Sequence, residues 1–493
     1  MAVVCALHFV MGAAVGLSVD EAHYALYAAH PALSYFDHPP LVGWVQWPLV
    51  ALDLPTFLLR LVPELLWLGT AVLVYQLAQR LQGQPKPLEP SDTASVASAG
   101  MWALLALALA PLIHVLGIGL LPDTLLMFFT AALMWLTWNL MDANAAQRPG
   151  PWLALGVVLG LAGLSKYTAI LAAVAVGGCL LMAHGWRVLL QRYLWAAAAV
   201  ALLLVSPIAV WNVQNHWISF SYQVQHGAGG GWQAVHFVRF VLVQVLAYGP
   251  LMFWAASGMR RVGDARRRSL ALFFVLPFVV FAALSGGGTG LPHWTAPAWV
   301  ALAPFAGVGL AHAWERARRT TIGVCMAVQT VLCLAVLGLM LTAGVPFVSG
   351  ARGQGNLESP SNPFADLHGW DAAGQRAHAL AAQHGLDNVA VQNWTLASRL
   401  GWYARPLPVH VLEDRFDQFD LWVGDLPVGG STLLVDWSQL AYAVPLGAHG
   451  FGDCTLLDTQ TVTRLGTTIS TFRFYACHQW SGVPQPRLQG APG

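Results

Sequence analysis

Several short motifs bring carboxylates, histidines and a lysine into a sequence that otherwise has few ionisable side chains. The first is SVDEAHY at 18–24, with Asp20, Glu21 and His23, and the second is YFDHPP at 35–40. Pro122-Asp123 opens a later apolar segment, and Lys166, one of only two lysines, lies in GLSKYTA. Carboxylates beside a lysine and histidines suit a general base together with a site for an anionic phosphate.

Each of these residues also has a structural interpretation. Asp20 and Asp123 lie where aspartate often caps a helix. Lys166 could extend to the membrane interface, and single histidines are usually satisfied structural residues. The functional interpretation is favoured because the motifs share one predicted side of a membrane, where ionisable residues usually mark function. Asp123 and Lys166, at adjoining helix ends, are predicted to form an ion pair.

The elements that carry these motifs are predicted to be membrane-spanning helices. The chain has 493 residues, of which 57% are hydrophobic and 10% charged, unlike soluble or disordered proteins. Its net charge of +1 gives no reason to expect a nucleic-acid partner. Apolar stretches long enough to cross a bilayer predict about eleven spans: 2–18, 57–79, 96–116, 124–141, 152–165, 167–184, 193–211, 236–257, 269–285, 294–312 and 320–346. The first is predicted to be a retained helix rather than a signal peptide.

The distribution of basic residues predicts the orientation of these spans. One set of alternate loops is rich in arginine, as in RRVGDARRRS at 260–269 and ERARR at 315–319, whereas up to residue 350 the opposite set holds only Arg60, Lys166 and Arg239. Because basic loops remain in the cytoplasm, the candidate motifs are predicted to face outward. The outward segments are 19–56, 117–123, 212–235, 286–293 and everything after about 347.

The C-terminal part is predicted to form a separate soluble domain. We expect a transmembrane domain at 1–346, a linker at 347–365 and a periplasmic α/β domain at 366–493. Helices are predicted at 371–384 and in WTLASRLGWY, and strands in NVAVQN, LPVHVL, DLWVG and STLLVDW. Cys454 and Cys477 flank a predicted hairpin and are predicted to form a disulfide, whereas Cys5, Cys179, Cys325 and Cys333 lie in apolar spans. No Rossmann or Walker phosphate loop is present in this part of the sequence.

The ordered set of motifs resembles a known family. DEAHY, YFDHPPL, PD at a helix start and GLSKYTAIL together resemble bacterial multi-pass GT-C glycosyltransferases of the family 39/83 type. This group includes aminoarabinose lipid A transferase, protein O-mannosyltransferase-like and RgtA/B/C/D-like enzymes. PIAVWNVQNHWISFSYQVQH, PHWTAPAW, NPFADLHGWDAA and FDQFDLWV extend the resemblance over nearly the whole chain. It implies a polytopic all-α membrane bundle of the GT-C type, with the soluble α/β domain at its C-terminus.

The resemblance also implies roles for individual residues. Asp20 matches the catalytic aspartate that acts as general base, Glu21 adjoins it, and Asp123 matches a second acidic position. Lys166 matches the basic residue near that position, while His23 and His38 stand where relatives have a permanent cation near the donor phosphate. The other predicted substrate-binding residues are Tyr24, Tyr35, Tyr167, His226 and His293. Asp37 and His226 are a possible pair of ligands for a divalent metal ion, and no other cofactor is expected.

The function implied is transfer of a sugar from a polyprenyl-phosphate donor to a membrane lipid or glycan acceptor, at the periplasmic face of the inner membrane. The alternatives are transfer to a protein, a transporter or lipid flippase, and a non-catalytic scaffold. The candidate residues cluster at helix ends rather than in mid-span, and no inverted repeat of broken helices is visible, which argues against transport. Sugar and acceptor are left open.

Overall fold

The computed structural model describes residues 1–83, 98–228, 230–288, 290–316, 318–347, 362–440 and 442–487, without the side chains of 225–228. These residues form two compact units. The first contains Met1–His8, Ala32–Val45 and Arg60–Leu334, and the second contains Phe9–Pro31, Gln46–Leu59 and Ala335–Gly493. Two early segments of the chain therefore belong with its C-terminal part. The domain boundaries at 346 and 366 stay a prediction.

The described residues up to Thr342 are mainly helical. Short helices at Leu41–Trp44 and Trp47–Ala51 follow the YFDHPP motif, in the stretch LVGWVQWPLV. The longer helices of this part are Ala2–Ala14, Val19–Ala29, Leu61–Gln82, Ala99–Ala108, Pro111–Ile118, Pro122–Leu140, Pro149–Ser165, Ala169–His184, Arg192–Gln214, Ile218–Ala228, Ala234–Tyr248, Ala255–Arg261, Leu272–Ser285, Ala296–Glu315 and Arg319–Thr342.

The structure does not confirm a count of eleven membrane spans. Among the described residues, 6 helices are long and apolar enough to cross a membrane, or up to 9 if each of three sharply bent helix pairs is one span. The predicted spans 124–141 and 152–165 fall outside this set. Helix Pro122–Leu140 carries polar residues at both ends, and Pro149–Ser165 has only 17 residues, near the lower limit for crossing a bilayer.

One helix forms the centre of the first unit. The span Pro292–Glu315 is 94% buried over its most apolar stretch, and the helix within it packs against five others. Those five are Leu61–Gln82, Ala99–Ala108, Pro122–Leu140, Ala255–Arg261 and Leu272–Ser285. Gly307 packs against Ala99 and Ala103, and Gly309 against the backbone of Trp254, so a Cβ at either glycine would clash. Small residues therefore permit the close helix contacts that stabilise membrane bundles.

Other helices present wide apolar surfaces. The most apolar stretches of Arg192–Gln214 and Arg319–Thr342 are only 17% and 22% buried. Their exposed side chains include Leu202, Leu203, Val331 and Leu334, each more than half exposed. Such faces would be unfavourable in water and suit a lipid environment, as expected for a multi-pass membrane protein.

The C-terminal part contains a five-stranded mixed sheet with the strand order β2-β1-β3-β5-β4. The strands are β1 (Val389–Val391), β2 (Val409–Val411), β3 (Thr432–Trp437), β4 (Asp453–Arg464) and β5 (Thr467–His478). β1 pairs in parallel with β2 and β3, whereas β5 pairs antiparallel with β3 and β4. Helices Trp370–His384 and Trp394–Tyr403 complete this small α/β fold.

Most of the predicted C-terminal elements are confirmed, but the strand predicted at DLWVG is wrong. Its residues begin in a helix, Gln418–Trp422, because Asp417 caps the helix and Asp420 bonds back to the backbone of Asp417. This capping box outweighs the β propensity of the apolar run. The predicted disulfide between Cys454 and Cys477 is confirmed, and the two residues lie directly opposite each other on β4 and β5.

The disulfide gives a testable prediction for stability. Replacing both cysteines by serine removes a covalent link across a sequence separation of 23 residues. We expect the unfolding free energy of the C-terminal part to fall by roughly 2–4 kcal/mol, because the unfolded chain gains freedom. Thermal unfolding of detergent-solubilised protein checks this, with Cys325→Ser as the control. An unfolding temperature equal to that of the wild type would contradict it.

Candidate active site

The SVDEAHY motif begins helix Val19–Ala29 in the second unit. Ser18 is the N-cap, and its hydroxyl accepts a hydrogen bond from the Glu21 N–H at 3.4 Å. The Glu21 carboxylate accepts in return from the Ser18 N–H at 3.0 Å. The cap is thus supplied by Ser18 and Glu21, and Asp20 does not serve as the N-cap. A catalytic role for Glu21 stays a prediction.

His23 is buried within an aromatic cluster of the second unit. Its imidazole lies 5.1 Å from the ring of Tyr27, 5.5 Å from Trp394 and 5.9 Å from Trp422, and its Nδ1 is 2.9 Å from the Ser398 hydroxyl. Only 3% of His23 is exposed. The phosphate-binding role predicted for His23 and its neighbour Tyr24 stays a prediction.

Asp417 caps the helix that carries Phe419 and Trp422, two rings of this aromatic cluster. Its carboxylate accepts a hydrogen bond from the Phe419 N–H at 2.7 Å. Burial raises the pKa of Asp417 to about 7, and the attraction of His23 and Arg415 opposes this rise. The sequence analysis did not single out Asp417, although the capping pattern DQFD marked it as a helix start.

The YFDHPP motif lies in the first unit and is held by helix Ile218–Ala228. The Tyr35 carbonyl accepts from the Ser219 hydroxyl at 2.9 Å, and the Asp37 carbonyl accepts from the Gln223 amide at 2.5 Å. Tyr35 is fully buried, whereas Asp37 and His38 are half-buried. The two predicted motifs around Asp37 and His226 are therefore brought together, since Gln223 precedes His226 by one helical turn.

The possible metal site is only partly described. The side chain of His226 lies outside the described residues. Within the part of the chain that the structure describes, no group of three or more His, Cys, Asp or Glu side chains could hold a metal ion. A divalent ion bound by Asp37 and His226 stays a prediction, and no chemical step is derived through it.

The predicted ion pair is present in the first unit. The Lys166 ammonium lies 2.7 Å from each carboxylate oxygen of Asp123, and the pair is buried, with Lys166 only 6% and Asp123 only 2% exposed. The imidazole Nε2 of His293 lies 3.8 Å from the same carboxylate, and the Trp294 ring 5.7 Å from the ammonium. Lys166 therefore does not extend to solvent, and Leu121 rather than Asp123 occupies the N-cap. Tyr167, the next residue, packs beside Phe220 with 5.4 Å between ring centroids.

The sequence analysis did not predict a network formed by His8, Glu64 and His114. His8 Nδ1 lies 2.6 Å from the Glu64 carboxylate, and its Nε2 lies 2.9 Å from His114. The other nitrogen of His114 is 2.7 Å from the Ala108 carbonyl. Three residues far apart in the sequence meet here inside apolar helices, a contact that no local motif indicates.

The candidate residues thus form two groups. The second unit holds Asp20, Glu21, His23 and Tyr24, while the first unit holds Asp123, Lys166, His293 and the YFDHPP motif. Each group combines carboxylates with cationic or ionisable partners, as a proton transfer or the binding of an anion requires.

Comparison with known proteins points to one class. Residues 37–211 match the family described as dolichyl-phosphate-mannose-protein mannosyltransferase. The chain is 22% identical over 399 residues to the lipid A galacturonosyltransferase RgtD of Rhizobium johnstonii, which covers 78% of this chain and 77% of that protein. It is 26% identical over 303 residues to the lipopolysaccharide core galacturonosyltransferase RgtA of the same organism, covering 57% of each chain.

Solved structures share the fold. Two structures of ArnT from Cupriavidus metallidurans, one bound to undecaprenyl phosphate and one in the apo state, superpose with a TM-score of 0.62 at 17% identity. In both cases 99% of this chain and 98% of ArnT are covered. The sequence matches and the fold agree on the GT-C glycosyltransferases and so confirm the resemblance that the ordered motifs predict.

The buried ion pair gives a second testable prediction. Lys166→Met leaves the Asp123 carboxylate buried without its main partner, which should cost about 3–5 kcal/mol. The double variant Lys166→Met/Asp123→Asn should unfold at a higher temperature than Lys166→Met alone, because the unpaired charge is gone. Thermal unfolding in detergent measures both. Arg376→Met is the matched control, since its exposed ion pair with Asp458 should contribute no more than about 1 kcal/mol. If Lys166→Met unfolds like the wild type, the pair does not hold these helices together.

Proposed function

We propose that this protein transfers a sugar from a polyprenyl-phosphate donor to a lipid or glycan acceptor at the periplasmic face of the bacterial inner membrane. The observation that carries the proposal is the buried ion pair of Asp123 and Lys166, with the partly exposed His293 beside it, in a chain with only 10% charged residues. Charges buried among apolar helices are costly and usually mark a functional site. The Lys166 ammonium is a suitable partner for an anionic phosphate at membrane depth.

The reaction is a single displacement at the anomeric carbon. The acceptor hydroxyl oxygen forms a bond to this carbon while the bond to the phosphate oxygen breaks, and the electron pair leaves with the polyprenyl phosphate. Asp20 takes the proton of the acceptor hydroxyl as general base. Lys166, held by Asp123, and His293 stabilise the charge of the departing phosphate.

The two aspartates are suited to different roles. Both oxygens of Asp123 lie within 2.7 Å of the Lys166 ammonium, so this carboxylate is occupied as an anion and is a poor proton acceptor. Asp20 is half-buried in the first turn of its helix, where Ser18 rather than Asp20 is the N-cap. These surroundings favour Asp20 as the base and Asp123 as the residue that keeps the lysine charged and in position.

The relatives suggest which substrates to test first. RgtD and RgtA are named as galacturonosyltransferases of lipid A and of the lipopolysaccharide core, and one ArnT structure contains undecaprenyl phosphate. We therefore propose a polyprenyl-phosphate-linked uronic acid as the first donor and a lipopolysaccharide precursor as the first acceptor. The arginine-rich loops support a periplasmic site, because such loops remain in the cytoplasm.

The proposal is tested by sugar transfer in membranes that contain the wild type, Asp20→Asn or the control Asp371→Asn, an exposed aspartate of the C-terminal part. With a panel of radiolabelled polyprenyl-phosphate sugars, we expect the wild type and Asp371→Asn to form labelled glycolipid. The sugar-transfer rate of Asp20→Asn should be about 100- to 10,000-fold lower than that of the wild type, because this is the usual contribution of a general base. Unfolding temperatures establish that each variant is folded.

The other outcomes are equally informative. Full activity in Asp20→Asn would remove the proposed base. Label in protein rather than in lipid would establish protein glycosylation, and donor movement across the bilayer without transfer would establish a flippase.

A further inference from the structure

The chain that leads into the helix of Asp20 is anchored by residues more than 300 positions away. Three of its backbone N–H groups donate to acceptors in the C-terminal part, at 2.9, 2.9 and 3.2 Å: Gly16 to the Leu367 carbonyl, Leu17 to the Tyr403 hydroxyl and Val19 to the Asp366 carboxylate. All of these residues belong to the second unit. Because Val19 is the residue before Asp20, these bonds fix the backbone position of the proposed base.

One of these acceptors, the Asp366 carboxylate, is also bound by a buried arginine. Arg399 is only 1% exposed and forms an ion pair with Asp366, the carboxylate that also accepts from Val19. Its Nε donates to the Thr395 carbonyl at 3.0 Å. The guanidinium carbon lies 4.1 Å from the centre of the Trp370 ring and 4.9 Å from that of Trp437. The guanidinium is thus held on an aromatic surface with little freedom to move.

Asp20 is the carboxylate whose attraction opposes the effect of burial on Arg399. Burial lowers the pKa of Arg399 to about 9, and the attraction of the Asp20 carboxylate opposes this decrease. The same attraction must favour the ionised form of Asp20, since the interaction between two charges is mutual. A buried guanidinium with a single partly exposed carboxylate partner is expensive, so a second carboxylate nearby stabilises it further.

We propose that Arg399 and Asp366 are positioning residues for the general base Asp20. Asp366 fixes the backbone at Val19, and Arg399 holds Asp366 in place while its positive charge keeps Asp20 ionised and ready to accept a proton. The inference rests on the proposed function of Asp20. It assigns the C-terminal part a direct role in preparing the base.

A purely structural ion pair makes different predictions. If Arg399 and Asp366 only stabilise the fold, their replacement lowers the unfolding temperature and leaves the pH dependence of the reaction unchanged. If they act on Asp20, the acidic limb of the pH profile of kcat/KM must move, and in opposite directions for the two variants. Arg399→Gln removes a positive charge and should move this limb to higher pH, by about one unit. Asp366→Asn removes a negative charge and should move it to lower pH, while its amide oxygen can still accept from Val19.

The experiment measures kcat/KM for sugar transfer from a polyprenyl-phosphate-linked uronic acid to a lipopolysaccharide precursor, across a pH series, with full-length protein in detergent. Unfolding temperatures are recorded for every variant. Arg399→Lys keeps the charge but loses the planar fork, so its limb should stay near the wild-type position while its maximal rate falls. Arg376→Gln, at an exposed ion pair of the same unit, is the matched control and should leave the profile unchanged.

Two results would overturn the inference: acidic limbs of Arg399→Gln and Asp366→Asn that coincide with the wild type, or limbs that move in the same direction. If Arg399→Gln does not fold, the test rests on Asp366→Asn. An acidic limb of its kcat/KM profile at the wild-type position would then reject the proposal. Full activity in Asp20→Asn would instead refute the proposed function itself, so the two failures are distinguishable.

Discussion

The cost of burying charge in an apolar chain governs both candidate sites. A buried ion is tolerated only where an opposite charge or several dipoles compensate for the lost water. The Lys166 ammonium donates to both carboxylate oxygens of Asp123. Arg399 forms an ion pair with Asp366, and Arg473 donates to the Asp436 carboxylate at 2.6 Å. Each of these pairs joins elements that are distant in the sequence. The requirement for compensation therefore fixes helices and strands relative to one another as well as setting the local electrostatics.

The pairs differ in what they leave available for chemistry. Both oxygens of the Asp123 carboxylate contact the Lys166 ammonium, and His293 lies 3.8 Å from the same carboxylate. In the second unit, Arg399 is bound to Asp366, and the attraction of Asp20 opposes the lowering of the pKa of Arg399 by burial. In the proposed reaction, Asp20 accepts the proton and Asp123 holds the lysine that stabilises the departing phosphate. The proposal thus gives one residue type two roles because its surroundings differ.

The sequence predicted the features that depend on local patterns. Apolar stretches indicated a multi-pass helical bundle, an amphipathic pattern that ends at Gly385 located helix Trp370–His384, and helix Trp394–Tyr403 was predicted in WTLASRLGWY. The pairing of Asp123 with Lys166 was predictable because both lie at ends of apolar segments on the same predicted side. The disulfide was predicted from two cysteines that flank a hairpin in a segment predicted to be exported.

Features that depend on distant contacts could not be predicted in this way. Arg399 lies in WTLASRLGWY, where the pattern indicates a helix but not that the guanidinium faces Asp366 and two tryptophans. The grouping of 9–31 and 46–59 with the C-terminal part has no local signal either. The strand predicted at DLWVG was wrong because a capping box outweighed residue propensity. The count of eleven spans is not confirmed among the described residues, where three helix pairs are sharply bent and one predicted span corresponds to a short helix.

The most direct test of the account is the class of sugar donor that the purified protein uses. In separate reactions, the protein receives an acceptor lipid extract with either a polyprenyl-phosphate sugar or the corresponding nucleotide sugar, and mass spectrometry follows the lipid products. The account predicts that polyprenyl phosphate is released in step with glycolipid formation, and that the nucleotide sugar supports no transfer. Transfer from the nucleotide sugar, or glycolipid formation without release of polyprenyl phosphate, would contradict it.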